Sequence, residues 1–486
     1  MGTSTEPEVR IATGAVRGRA EEGLSVFRGI PFATPRRFGA PEPAGPWDGV
    51  RDCAAFGPPP PQQSTLASAV AGRIGESWLT VNVWSPSLGT ARLPVMVWIY
   101  GGAYRGGESG EPVYDGAVLA REGHVIVVTL NYRVGMEGFA HVEGAPANRG
   151  LLDQVAALEW VRDNVAAFGG DPGRVTVFGE SAGAGCIAAL MAMPRAAGLF
   201  GRAIAQSVPG TYFSAPLASD IAAVLAAELG LPPDAGALAA VEPGLLVAAA
   251  EAATARMRLH EDRWGAVAHT VTPFSPVVDG DVLPRDPWSA LADGAGRGIE
   301  LIVGHTRDEY RLFTRTGRVE GHDLLEVFAP GREQAYRDAF PSAGPELLDE
   351  LVQSDWLFRM PSLRMADAQA AGGGRVHAYE LTWESPALGG ACHGLDVPLV
   401  FGNPGSGMGT FFLGESAPPE AAAVSAAFRR AWTAFAAGEG PGWEPYTPER
   451  RLTRLFDVEP AVVPYPEEAS RRIWASHPFA ELPLLT

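Results

Sequence analysis

The stretch Arg174-Val175-Thr176-Val177-Phe178-Gly179-Glu180-Ser181-Ala182-Gly183 decides how the chain reads. Arg174 to Phe178 is a short β-branched run of the kind that forms a buried strand, and the small residues from Ala182 to Met193 form a helix. Between them lies Gly-x-Ser-x-Gly. A strand, a tight turn and a helix with serine at the apex make a nucleophile elbow. The turn is strained, its small neighbours let sheet and helix approach, and the Ser181 hydroxyl stands above the sheet near a helix N-terminus. In a chain with 59 glycines the bare pattern also arises by chance, so its strand–turn–helix context carries the reading. Gly183-Ala184-Gly185-Cys186-Ile187-Ala188 loosely matches a dinucleotide fingerprint. It begins inside the helix, however, and not at a strand end where a pyrophosphate meets free N–H groups.

Outward from the elbow, apolar runs alternate with Gly/Pro turns and helical stretches. Pro94 to Tyr100 and Val125 to Tyr132 are strands without polar alternation, which belong to sheets covered on both faces. Leu151 to Asn164 is an amphipathic helix with Leu151, Val155, Leu158 and Val161 on one face. Arg202 to Gln206, Glu300 to His305 and Arg375 to Leu381 are further strands, and Ala421 to Ala437 is a late helix presenting Phe428, Trp432 and Phe435. The pattern predicts an α/β fold with a mostly parallel central sheet flanked by helices. A length of 486 residues suggests about three domains. Motif order revises this to one domain, 1–486, with helical insertions over 215–258 and 322–370 that form the walls above the site.

Composition removes several classes. Apolar residues make up 46% and charged residues 19%, the reverse of a disordered chain. The balance of 38 basic against 56 acidic residues gives −18, and every basic residue is Arg; such a chain repels nucleic acid. Cys53, Cys186 and Cys392 are too scattered for a disulfide scaffold or zinc ribbon. Met1 to Arg10 is polar, and no run approaches the roughly 18 apolar residues of a membrane span. The expectation is a soluble cytoplasmic protein, with monomer and homodimer both open. No metal, nucleotide or flavin cofactor is implied, because the chain has no H-E-x-x-H, no paired C-x-x-C and no glycine loop ahead of Lys.

A hydrolytic serine needs donors for an oxyanion, and Tyr100-Gly101-Gly102-Ala103-Tyr104 follows an early strand where such donors belong. The N–H groups of Gly102, Ala103 and Ala182 are the candidates. Of nine histidines, His393 lies in a loop after the Arg375 to Leu381 strand, whereas His124 precedes a strand and His377 lies within one. His305 follows a strand too, with Glu309 four residues on and Asp308 as the adjacent rival acid. The order Ser181, Glu309, His393 matches the nucleophile–acid–base order of α/β-hydrolases.

Together these residues resemble the type B carboxylesterase family, which includes bacterial p-nitrobenzyl esterases and cholinesterases. The likeness rests on ordered motifs: Phe27 to Ala33, Glu76 to Trp84, Asn148 to Gln154, Phe168 to Pro172 and Gly179 to Gly183. It implies the α/β-hydrolase fold, with Ser181 as nucleophile, His393 as base and Glu309 as the third member. It also implies an oxyanion hole of Gly102, Ala103 and Ala182, and Ser207 and Asp396 as residues that hold the acid and the histidine loop. Tyr104, Tyr310, Leu312 and Phe313 are expected to shape the substrate gorge. Departures are informative. The family's first disulfide falls at Pro60 and Trp78, which fits a reducing compartment, and the loop between them is short and lacks a choline-anchoring Trp.

The resemblance implies a serine carboxylic-ester hydrolase acting on a small-molecule ester, small to medium and largely uncharged, with activity rising through roughly pH 6–7 as His393 loses its proton. An acyltransferase, lactonase or amidase shares the same acyl-enzyme and differs only in the second nucleophile. A non-catalytic recognition protein is disfavoured because Ser181, Glu309 and His393 are all present. Cys186 and Cys392, near two of these positions, are expected to be buried and inert.

Overall fold

Leu93–Ile99 and Ile126–Leu130 lack polar alternation, and every residue of both strands is buried. Such strands are stable only where other elements cover both faces. The computed structural model describes residues 6–62, 75–315 and 324–485, and it places these runs inside an eleven-stranded sheet. In chain order its strands are β1 (Arg19–Glu21), β2 (Leu24–Pro31), β3 (Thr80–Ser85), β4 (Leu93–Ile99), β5 (Ile126–Leu130) and β6 (Gly170–Glu180), then β7 (Arg202–Gln206), β8 (Glu300–Thr306), β9 (Val376–Leu381), β10 (Leu452–Phe456) and β11 (Ala461–Pro464). Their order across the sheet is β11-β10-β9-β8-β7-β6-β4-β5-β3-β2-β1. The strands from β10 to β5 run parallel, and antiparallel strands close both edges.

The principal helices are α1 (Arg149–Asn164), α2 (Ala182–Ala192), α3 (Pro243–Thr254), α4 (Met360–Ala371), α5 (Asp396–Phe401) and α6 (Pro419–Ala437). The predicted face of α1 is buried. Helix α2 packs on β6 and β7, α4 on β8 and β9, and α6 on β4, β6 and β10. On α6, Phe428 and Trp432 meet Phe456 of β10 and Tyr379 of β9. Burying each such ring is worth roughly 2–3 kcal/mol. One contiguous apolar cluster runs from Val9 to Trp474.

Strands β4 to β9 fall within a few residues of their predicted limits. The exception is β6, which starts at Gly170 and shifts its pairing register with β4 between Gly170 and Val175. The outer strands β1, β2 and β3 at one side of the sheet and β10 and β11 at the other are additional; the motif segments Phe27 to Ala33 and Glu76 to Trp84 prove to contain parts of β2 and β3. His322, where the second insertion was expected to start, and residues 63–74 of the expected short loop lie outside the described residues. Among the described residues no helix is long and apolar enough to cross a membrane.

Candidate active site

Three glycines bring the elbow and the loop after β4 together. A Cβ on Gly183 would lie 2.0 Å from the Ile99 carbonyl, and one on Gly179 2.5 Å from the same oxygen. The end of β4 therefore fits against the elbow only because neither residue has a side chain. The chain leaving β4 then passes the serine, and a Cβ on Gly101 would sit 3.0 Å from Ser181 Cβ. Ser181 itself has φ 56° and ψ −126°, a conformation that costs on the order of 1–3 kcal/mol for a non-glycine residue. It occupies the N-cap of α2, yet its hydroxyl caps nothing. The Ser181 N–H instead donates to the Gln206 carbonyl at 2.9 Å, tying the strained turn to β7.

In the neighbouring loop Gly102, Ala103 and Tyr104 all have positive φ, at 111°, 56° and 58°. Only glycine suits the first position, since a Cβ there would strike the Gly106 carbonyl at 2.2 Å. The N–H groups of Gly102, Ala103 and Ala182 donate to no acceptor among the described residues. Unsatisfied donors facing a cavity beside a serine suit an anionic oxygen.

The remaining polar groups come from loops at the carboxyl ends of β7, β8 and β9, where parallel sheets gather ligand-binding residues. His393 Nε2 lies 2.8 Å from Ser181 Oγ, and its Nδ1 lies 2.5 Å from Glu309 Oε2. The other Glu309 oxygen accepts from the Ser207 hydroxyl at 2.5 Å and from the Thr306 N–H at 2.9 Å. Asp308 points elsewhere: it pairs with Arg307 at 2.8 Å and accepts from the Ala391 N–H. Asp396, the first residue of α5, accepts from Gln206 at 2.9 Å and from the Tyr379 hydroxyl at 3.0 Å.

Burial would raise the Glu309 carboxyl, but nearby His393 and hydrogen bonds from His393 and Ser207 outweigh it and hold it below the ordinary value. Burial likewise disfavours the His393 imidazolium. Glu180 and Glu309 overcome that and lift it to about 9. Glu180 is the residue that the sequence reading did not single out. Its Oε1 is 3.1 Å from His393 Nε2, and burial, with Asp396 and Glu309 adding to it, pushes its carboxyl up to about 8. The signal was its place between Gly179 and Ser181, where the strand end forces even an acid inward. All three cysteines are buried and free, and burial pushes Cys53 to about 11 and Cys186 and Cys392 to about 12. These thiols have no nucleophilic form at neutral pH.

A cavity of about 720 Å³ opens over Ser181, Ala103 and His393. Tyr104, Leu312 and Phe313 line it as expected, with Leu357, Phe358 and Phe412 as further walls. Two expectations need correcting. Tyr310 does not reach this cavity; it is buried behind Phe313, ring centroids 4.9 Å apart, and lines a smaller space next door. Its N–H donates to the Ser354 hydroxyl at 3.0 Å. The insertion at 215–258 also contributes nothing to the lining. Its helix α3 borders two neighbouring cavities, which meet the main one at Arg105. Thr270, Val271, Thr272 and Phe274 line the main cavity together with Phe213.

A strained serine at a strand–helix turn, with an imidazole on its hydroxyl and a carboxylate behind, all on the carboxyl edge of a parallel sheet, defines an α/β-hydrolase. The sequence pattern of the carboxylesterase family matches residues 5–464, and the chain belongs to that family of carboxylic ester hydrolases. It is 38% identical over 483 residues to the para-nitrobenzyl esterase of Bacillus subtilis (strain 168), covering 94% of this chain and 96% of that one. It is 34% identical to a phenmedipham hydrolase of Pseudarthrobacter oxydans, over 89% of this chain and 90% of the other. Among solved structures, a PNB esterase superposes with TM-score 0.86 at 37% identity, covering 96% and 99% of the two chains. A Geobacillus stearothermophilus carboxylesterase gives 0.84 at 36% identity, over 96% and 99%.

Proposed function

We propose that this esterase works through an acyl-enzyme on Ser181, with His393 as general base and Glu309 as its partner. The observation carrying this reading is the unbroken hydrogen-bonded line from Ser181 through His393 to Glu309, at 2.8 and 2.5 Å. Ser181 Oγ attacks the ester carbonyl while its proton passes to His393 Nε2. Glu309 orients the neutral imidazole and stabilises the imidazolium. The N–H groups of Gly102, Ala103 and Ala182 receive the developing oxyanion. His393 then gives its proton to the departing alcohol. Water, deprotonated by the same nitrogen, attacks the acyl-serine and releases the acid.

Ser207 and Asp396 serve as positioning residues, the first through its 2.5 Å bond to Glu309 and the second through its hold on Gln206 and Tyr379. A cavity of about 720 Å³ walled by Leu312, Phe313, Leu357, Phe358 and Phe412 suits small to medium, largely uncharged esters. The chain acts as one domain, in which the second insertion forms part of the wall. p-Nitrophenyl esters of increasing acyl length, assayed with wild type and Ser181→Ala side by side, test the mechanism. Activity is expected to vanish in the variant, and turnover surviving there would overturn the assignment of Ser181.

A further inference from the structure

Between Ser354 and Met360 the chain makes one π-helical turn, Asp355–Arg359, before α4 begins. A π turn carries an extra residue per loop of helix, is seldom stable unaided, and recurs at functional sites. Here it is tied down on every side. Arg359, fully buried, bonds Asp355 at 2.7 Å, the Ser470 hydroxyl at 2.8 Å and the Arg307 carbonyl at 3.1 Å. Asp355 in turn accepts from the Tyr336 hydroxyl at 2.7 Å. The Leu357 carbonyl accepts from the Gly210 N–H at 2.7 Å, and the Ser354 hydroxyl accepts from the Tyr310 N–H at 3.0 Å.

These contacts converge on the catalytic loops. Arg307 and Tyr310 flank Glu309, and Gly210 follows Ser207, which holds the same carboxylate. The extra residue also sets Phe358 against the base: its ring stacks on the His393 imidazole with centroids 4.2 Å apart and planes at 28°. Phe313 touches the imidazole too, at 5.5 Å. The turn and the Ser354 that precedes it therefore hold Arg307 and Tyr310, two residues before and one after Glu309, and the turn meets the base by a ring face. We infer that the π-helical turn Asp355–Arg359 is a positioning element for the catalytic pair, with Phe358 as the residue that fixes the imidazole plane between Ser181 and Glu309. A regular α-helical turn would shift Phe358 round the helix by one residue and take its ring off His393. The inference rests on the triad reading above.

The test compares wild type, Phe358→Leu and Phe358→Tyr on p-nitrophenyl acetate, an ester too short to need the cavity wall. Phe358→Leu keeps an apolar side chain and loses the ring face. It is expected to lower kcat by about tenfold or more while KM changes by less than about threefold, as misplacement of a catalytic group does. Phe358→Tyr, which restores the ring, is expected to stay within about threefold of wild type. The low-field proton resonance of the His393–Glu309 bond should broaden or move upfield in Phe358→Leu and persist in Phe358→Tyr. Ser354→Ala, which frees the Tyr310 N–H and leaves the cavity lining intact, is the second variant and decides the matter if Phe358→Leu does not fold. It is expected to lower kcat and weaken the same resonance. Wild-type kcat and an unchanged resonance in Phe358→Leu, or in Ser354→Ala standing alone, would overturn the inference. Failure of the triad reading looks different: Ser181→Ala or His393→Gln would then remain active, whatever Phe358 does.

Discussion

Removing the Glu180 charge should move the acid limb of the pH–rate profile downward. In the proposed mechanism His393 must be neutral to accept the serine proton, so activity is present above its pKa and lost as pH falls through it. Two carboxylates raise that pKa to about 9, which places the limb well above the range of roughly 6–7 that an unperturbed histidine gives. Glu180 Oε1 lies 3.1 Å from the nitrogen that takes the proton. At that separation the attraction is between about 1.3 and 5 kcal/mol for effective dielectric constants of about 80 to 20. At about 1.36 kcal/mol per unit, Glu180→Gln should lower the apparent pKa in kcat/KM by at least one unit. Because Glu180 also titrates high, near 8, the two groups titrate as an interacting pair in wild type, and the variant has a single site. The assay is a pH-stat titration of released acid from a short ester between pH 5 and 10, since a phenolate dye would titrate within the window. The height of the profile in Glu180→Gln can fall, but its position is the measurement. Coincident acid limbs in the two enzymes would refute the reasoning, because a 3.1 Å charge cannot be electrostatically silent in a buried site.

Three further outcomes are expected. Ser207→Ala removes a hydrogen bond to a buried carboxylate, worth roughly 1.5–3 kcal/mol, and should lower kcat/KM by about tenfold or more in steady-state assays; unchanged kinetics would mean that Thr306 alone holds Glu309. Glu309→Gln should cost at least about a hundredfold, whereas Asp308→Asn, which does not touch His393, should stay within about threefold, and a reversed ranking would reassign the acid. Gly183→Ala places a methyl 2.0 Å from the Ile99 carbonyl, so urea titration should show a loss of about 3 kcal/mol or more, or no folded protein; a neutral result would mean that β4 can move away from the elbow.

Much of the site was legible because its parts are local. The elbow, the glycines after β4 and the strand ends that offer Ser207, Glu309 and His393 are all short patterns whose chemistry depends on neighbours in sequence. The family motifs added the choice of Glu309 over Asp308, which spacing alone left open. The structure shows how the two acids differ: Asp308 is occupied by Arg307 and Ala391, and of the pair it is Glu309 that bonds the imidazole. Missed features all involve partners remote in sequence. Glu180 meets His393, Phe358 stacks on it, and the Tyr310 N–H bonds Ser354. The Ala/Leu-rich stretch at 215–258 is helical, as expected, and borders cavities beside the one over Ser181. Helical periodicity tells which face is apolar, but not what that face will cover.

By itself the sequence determined the order of strands and turns, the serine at a strained apex and the small residues that let β4 and α2 close around it. Those outcomes follow from steric exclusion and hydrophobic periodicity, which act over a few residues. Tertiary structure alone decided the distance between Ser181 and His393, which are 212 residues apart in the chain and 2.8 Å apart in space. It also decided that two buried carboxylates flank the imidazole, and that one π-helical turn bonds the Arg307 carbonyl and stacks Phe358 on His393. Electrostatic and packing energies depend on separation in space, and only the folded sheet fixes that separation.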